Sequence, residues 1–230
     1  MKTTVDVDEL VFHPSGLGCV LYLPGIPGGD SKILDRSAYG NHGAITGATW
    51  KRLPGGLWCP YFDGIDDYIT VPYNPSLDIT VAITLEVWLR VISFSDVASG
   101  HGHELIYREG RCYTLALNWS NDRKPGIFIN NNFLRAASAI SAGQWYHLAG
   151  TYNGASKKIY INGKLSSSDV QTGSINTAAT GLIIQAGTGI PGGSDASSCM
   201  MALHRVYNWA LSALEIQNHF NREKHLFGVW

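Results

Sequence analysis

Apolar and polar residues alternate with a period of two along most of the chain, the pattern of strands that bury one face. The alternation is plainest after Asp67, where Tyr68, Thr70 and Pro72 fall on one side and Ile69, Val71 and Tyr73 on the other. Further strands are predicted over Gly18 to Leu23, Ala44 to Trp50, Leu57 to Phe62 and Ile83 to Ile92, the last with Trp88 in its middle. Pro60 marks its strand as an edge or a bulge. Glu104 to Arg108 and Cys112 to Trp119 read as a hairpin across Glu109-Gly110-Arg111. Gly126 to Asn130 and Phe133 to Ala137 form another around Asn130-Asn131-Asn132. Gln144 to Tyr152, Lys157 to Ile161, Leu182 to Ala186 and Cys199 to Tyr207 complete the series, with Asn153-Gly154 and Asn162-Gly163 as turns. Only near the end does a helical signal appear: Ser212 and Glu215 can exchange caps, Leu211 can staple to Ile216, and Ile216 and Phe220 form a buried stripe. The reading is all-β, a two-sheet antiparallel β-sandwich with one short C-terminal helix.

A chain of 230 residues fits one large β domain. Residues 1–13 read as an acidic N-terminal arm, 14–222 as the sandwich, and 223–230 as an apolar C-terminal tail. With 45% hydrophobic and 15% charged residues, the chain has apolar material for a sizeable core and too few charges for a helical bundle. The net charge of −1 and the scattered Lys and Arg exclude the electrostatic footprint of a nucleic-acid binder. Eighteen consecutive apolar residues occur nowhere and the first residues lack an apolar signal core, so neither membrane insertion nor classical export is expected. Cys19, Cys59, Cys112 and Cys199 form no C-x-x-C pair; set in apolar runs, they are expected as buried thiols rather than disulfides.

Two stretches invite a cation. Asp63, Asp66 and Asp67 crowd one turn and must be solvated, bonded to turn amides or bound to a metal. Asp35 and Asn41 flank a run of turn formers, where each can bond its own backbone or join loop carbonyls on one hard cation; the spacing is not that of an EF-hand. His101-Gly102-His103-Glu104 lacks the helical spacing of a zinc site and reads as a polar loop. The Gly-rich loops 25–30 and 189–195 are each interrupted by Pro and are not phosphate loops.

The order of several short motifs resembles the laminin-G-like, concanavalin A-like jelly-roll family, also described as pentraxin-like. They are Leu34-Asp35 with Gly40-Asn41-His42-Gly43, Phe62-Asp63-Gly64 with Asp66-Asp67-Tyr68, and Thr84-Leu85-Glu86-Val87-Trp88. Gln144-Trp145-Tyr146-His147-Leu148-Ala149, Thr151-Tyr152-Asn153-Gly154, Ile159-Tyr160-Ile161-Asn162-Gly163 and Arg205-Val206-Tyr207-Asn208 with Ala210-Leu211-Ser212 follow in turn. The resemblance runs from about Leu17 to Phe220 and implies two packed antiparallel sheets, with Trp88 and Trp145 in the core. It commonly implies carbohydrate binding, adhesion or a structural Ca2+, whose family ligands map onto Asp35 and Asn41. Where the family carries Asp before the Arg-Val-Tyr-Asn strand this chain has Ala202 and Leu203, so Asp195 would have to supply the missing ligand.

A related glycoside hydrolase or lyase would need paired carboxylates about 5 to 5.5 Å apart on one face; Glu86 and Glu104 are lone strand carboxylates, and no Gly-x-Ser-x-Gly elbow is present. A non-catalytic binder of a glycan or surface polysaccharide is the favoured expectation, since sugars are held by aromatic faces flanked by amides and carboxylates. The candidates are Trp119 with Asn118 and Asp122, and Asn131 with Arg135; Trp119 is open to a second reading as a core side chain at a strand end. Asn118-Trp119-Ser120 is also a glycosylation sequon. The alternative is a virion or surface-assembly subunit that forms a homo-oligomer through Phe227, Val229 and Trp230.

Overall fold

A computed structural model describes residues 18–25, 29, 31–96, 102–187, 190–191 and 196–230. The N-terminal arm, most of the two Gly-rich loops, His101 and Asp195 lie outside the described residues. In chain order the strands are β1 (Cys19–Leu23), β2 (Lys32–Ile33), β3 (Gly43–Thr46), β4 (Thr49–Arg52), β5 (Trp58–Phe62) and β6 (Tyr68–Val71). There follow β7 (Ile83–Ser93), β8 (His103–Arg108), β9 (Tyr113–Leu117), β10 (Pro125–Ile129), β11 (Asn132–Arg135) and β12 (Trp145–Tyr152). The last are β13 (Ser156–Ile161), β14 (Lys164–Val170), β15 (Leu182–Gly187), β16 (Ile190–Pro191) and β17 (Ser198–Tyr207). The first sheet runs β14-β13-β12-β7-β17-β5-β4, with β1 also on β17; the second runs β11-β10-β9-β8-β15-β6-β3-β2, with β16 on β15. All pairings are antiparallel, as the alternating sequence requires.

The two sheets close on one core. Leu85, Val87 and Leu89 of β7 and Leu148 of β12 meet Leu115 of β9, Ile127 of β10 and Ile184 of β15, all fully buried. At about 1.5–3 kcal/mol for each large apolar side chain, this layer supplies most of the drive to fold. Ile69 and Val71 join it while Tyr68 and Thr70 face outward, the division read from the alternation.

Two stretches depart from the sequence reading. The single strand expected over Ala44 to Trp50 breaks at Gly47, where φ is +74°, so that β3 belongs to the second sheet and β4 to the first. The chain crosses between sheets there because only glycine fits: a Cβ on Gly47 would stand 2.0 Å from Asp67 Oδ1. The second departure is β14, a polar edge strand after Asn162-Gly163. Most of its residues are exposed or half-buried, so no apolar alternation announces it. Pro60 pairs with Trp50 of β4, whereas β17 meets β5 only at Tyr61 and Phe62; the missing N–H costs no ladder bond there.

Helix α1 (Ala213–Glu223) begins at the expected capping box: Ser212 Oγ accepts from Glu215 N at 3.2 Å, and Glu215 Oε2 accepts from Ser212 N at 2.7 Å. Its buried face is not the apolar stripe anticipated. Ile216 is buried together with His219 and Glu223, while Phe220 is only partly covered. The helix lies on the outer face of the first sheet, and the tail follows it: Phe227 stacks on Trp88 with ring centroids 4.1 Å apart, and Leu226 is buried beside it. Trp88 and Trp145 therefore sit in a second apolar layer, under the tail rather than between the sheets. Trp230 alone of the tail's large apolar side chains stays open, at 94% exposure.

Polar groups pin this layer. Glu86 accepts from His147 Nε2 at 2.7 Å, His219 Nδ1 at 3.0 Å and Arg205 Nη1 at 3.3 Å; Glu223 accepts from Trp88 Nε1 at 2.8 Å and from both Nη groups of Arg205. Burial alone would raise the Glu86 carboxyl, but the facing charges of His219, Arg205 and His147 hold it well below the usual carboxylate range. All four cysteines are buried free thiols, and burial pushes the Cys19 and Cys59 thiols up to about 12. Among the described residues no helix is long and apolar enough to cross a membrane.

Candidate functional site

With α1 and the tail covering one outer face, no α-helix among the described residues covers the outer face of the second sheet. Strand register lays one row across it: Thr70, Ile183, Tyr107, Thr114, Phe128 and Phe133 stand opposite one another on β6, β15, β8, β9, β10 and β11. At about 4.8 Å between strands, the row spans roughly 24 Å. One end is a cleft of about 390 Å³ lined by Thr70, Pro72, Tyr107, Glu109, Thr180 and Ile183. The other end is aromatic.

That aromatic end is built by glycines and a tight turn. Asn130 and Asn131 both take positive φ, +50° and +61°, so the β10–β11 turn has two residues and sets Phe128 against Phe133, stacked at 4.1 Å. A three-residue tip, as expected from the sequence, would have slipped this register by one. Gly126 leaves room for Phe133 to lie over the sheet, since a Cβ there would stand 2.3 Å from its ring. Gly102 does the same for Trp119, at 2.6 Å. Trp119 then meets Phe128 edge-on at 5.0 Å and Phe133 at 5.8 Å, half-buried in a short 3-10 turn after β9.

Two arginines flank the rings. Arg111, in the β8–β9 turn with φ +48°, donates from Nε to Glu104 Oε1 at 2.8 Å and holds its guanidinium 4.7 Å over Trp119 and 5.3 Å over Phe128. Arg135 reaches Asp122 Oδ2 at 3.4 Å and lies 5.3 Å over Phe133. Each guanidinium is thus paired with a carboxylate and stacked on an aromatic face, two constraints that fix its plane.

Of the residues singled out in the sequence, Trp119, Asp122 and Arg135 converge here. Asn118 faces inward: it is buried in a left-handed conformation, donates from Nδ2 to Ser95 O at 3.0 Å and accepts from Arg123 N at 3.0 Å. The bond to Ser95 O engages the amide nitrogen that the sequon would offer. Asn131 is exposed at the hairpin tip, where its backbone N donates to Arg111 O at 3.1 Å. Arg111, Glu104, Phe128 and Phe133 complete the platform and went unrecognised; the two-residue hairpin register was the signal that pairs the phenylalanines.

The candidate metal ligands have other engagements. Asp35 Oδ1 accepts from Tyr22 N and Ser37 N at 2.8 and 2.9 Å, and Oδ2 accepts from Ser37 Oγ and Asn41 N at 2.6 and 2.7 Å. Asn41 Nδ2 donates to Val20 O at 2.6 Å and to Ser76 Oγ at 3.0 Å. Four hydrogens already point at the Asp35 carboxylate, so this donor set does not fit a calcium ion; Asp195, the third expected ligand, lies outside the described residues. The carboxylates of Asp63, Asp66 and Asp67 come within 4.8 Å of one another, but Asp63 N donates to Asp67 Oδ2 and Ile65 N to Asp63 Oδ1, the bonds of a self-contained turn. His103 and Glu104 point to opposite sides of β8: His103 meets Gln185 and is lowered to about 4 by burial, while Glu104 meets Arg111.

A family model described as the concanavalin A-like lectin/glucanases superfamily matches residues 63–217. No curated protein matches the chain. Among solved structures, the binding domain of Paraclostridial Mosquitocidal Protein 1 superposes with a TM-score of 0.72 at 17% identity, over 92% of this chain and 55% of that one. The botulinum neurotoxin type C structure, whose title concerns interaction with two ganglioside molecules, gives 0.67 at 17% identity over 89% and 51%. Domain 4 of AbnA, an extracellular arabinanase from Geobacillus stearothermophilus, solved with arabinotriose, gives 0.66 at 16% identity over 88% and 98%. The chain spans about half the length of the first two. At these identities the likeness is one of fold.

Proposed function

Because the chain belongs to the concanavalin A-like lectin/glucanases superfamily, we propose that it is a non-catalytic carbohydrate-binding or adhesion module whose ligand face is the outer surface of the second sheet. The observation that carries this reading is the asymmetry of the sandwich. Its own helix and tail occupy one outer face, and the opposite face bears the half-buried Trp119 and Phe133 rings, backed by the buried Phe128, with arginine donors beside them. Aromatic faces stack on the C–H faces of sugar rings, and guanidinium groups donate to hydroxyls. Structural neighbours solved with arabinotriose and with SialylT lend support at the level of the fold. A binding rather than hydrolytic role is favoured because the platform carboxylates Glu104 and Asp122 are each held by an arginine, whereas a general acid must keep its proton near neutral pH.

A glycan array followed by calorimetry on Trp119→Ala and Phe133→Ala tests the site. Both variants are expected to fold and to lose about two- to tenfold in affinity, the scale of one aromatic contact. Unchanged binding in both would remove this face from consideration. A second reading, assembly through the tail, is supported by the exposure of Trp230; light scattering on Trp230→Ser would then report a smaller particle than the parent protein.

A further inference from the structure

Resting on the carbohydrate reading above, we propose that the ligand is an uncharged glycan, and that Glu104 sets this preference by fixing and neutralising Arg111 at the platform. The platform holds two cations and two anions in direct pairs, Arg111 with Glu104 and Arg135 with Asp122. Glu104 is completely buried, so it cannot touch a ligand itself; its action runs through Arg111, whose side chain is 23% exposed. The Nε bond to Glu104 and the stacking on Trp119 and Phe128 orient the guanidinium. Among the described residues neither Nη of Arg111 has a hydrogen-bond acceptor, so these N–H groups remain as donors aimed from a rigid mount. Arg108, three residues before Arg111, is committed to Asp78 and to the carbonyls of Leu77 and Ala178, and Arg123 stacks on Phe94 at 5.2 Å rather than on the platform.

Donors without net charge suit hydroxyl groups. A carboxylate or sulfate entering this half-buried place would meet two carboxylates already paired to the arginines, and would have to compete with each for its guanidinium. A site made for an anion would instead leave an arginine or lysine unpaired. Glu104 is a positioning residue in this account, and its substitution should change the sign of the preference, an outcome that loss of packing alone would not produce.

The test is affinity electrophoresis and calorimetry with soluble neutral polymers (arabinan, xylan and laminarin) and acidic ones (polygalacturonate and heparin), at about 50 and about 300 mM salt. The parent protein is expected to bind a neutral polymer with less than about twofold change across that range, and the acidic polymers at least about tenfold more weakly. Glu104→Gln should gain about tenfold for the acidic polymers, with a steep salt dependence, and weaken for the neutral one. Asp122→Asn, at a partly exposed position, should shift in the same direction and serves if the buried substitution fails to fold. Tighter binding of acidic than neutral polymers by the parent protein would overturn the inference while leaving the carbohydrate reading intact. So would a Glu104→Gln variant whose salt dependence and selectivity match the parent. Binding of neither class would overturn the carbohydrate reading and this inference together.

Discussion

Replacing Arg205 by Met keeps much of the side-chain volume but removes the guanidinium that bridges Glu86 and Glu223 beneath α1. Both carboxylates are completely buried, and they would then face one another with only the two histidines and the Trp88 indole N–H as partners. Breaking a buried ion pair by deleting one partner costs about 3–5 kcal/mol, and stranding two acids puts this case at about 5. For a domain of this size, at about 2–4 °C per kcal/mol, Tm should fall by roughly 10–20 °C. Urea unfolding followed by tryptophan fluorescence measures the loss directly, since Trp88 lies in the affected layer.

The pH dependence supplies a second, independent readout. In the parent protein the folded pKa of Glu86 is depressed, so its contribution is present above the ordinary carboxylate value of about 4.3 and is lost as pH falls through the lower folded value. In the variant one of the two facing acids must hold a proton, which raises its folded pKa above the unfolded one; that contribution is lost as pH rises. The deficit relative to the parent should therefore shrink between about pH 7 and about pH 5. A loss below about 1 kcal/mol, or a deficit flat across that interval, would refute the account of the network.

Three further outcomes follow from the geometry. Burial lowers His204 to about 3 and His103 to about 4, so the unfolded chain binds their protons first and stability should decline as pH falls below about 6.5; His204→Leu should flatten the slope of urea midpoint against pH, and an unchanged slope would be contrary. Gly47→Ala, at φ +74° and against Asp67 Oδ1, should cost about 2 kcal/mol or more, whereas Gly143→Ala, at φ +82° with open space around it, should cost only about 1; equal losses in chemical denaturation would count against the close-contact argument. Asp35→Asn exchanges an acceptor of four bonds for one with two donors of its own and should destabilise by about 2–3 kcal/mol. Adding calcium after chelation should leave the parent Tm unchanged at this site, and a rise that vanished in Asp35→Asn would assign the ion there.

Features that depend on neighbours a few residues away were legible in the sequence. The two-residue alternation fixes which of Ile69 and Thr70 turns inward, the Ser212 and Glu215 spacing specifies its capping box, and Asn-Gly pairs mark hairpin turns, because each is decided by local backbone geometry. The sandwich class follows from many such strands in succession. What only the tertiary structure decided is where chemistry gathers. Glu86, His147, Arg205, His219 and Glu223 are spread over more than half the chain and meet because β7, β12 and β17 are neighbours under α1. Arg111, a turn residue in sequence, becomes part of a platform because its left-handed φ turns its side chain back over Trp119. The difference between the two faces lies at the same level: strand alternation gives each sheet an outer side, and only the docking of α1 and Phe227 determines that the first is covered, while no α-helix among the described residues covers the second.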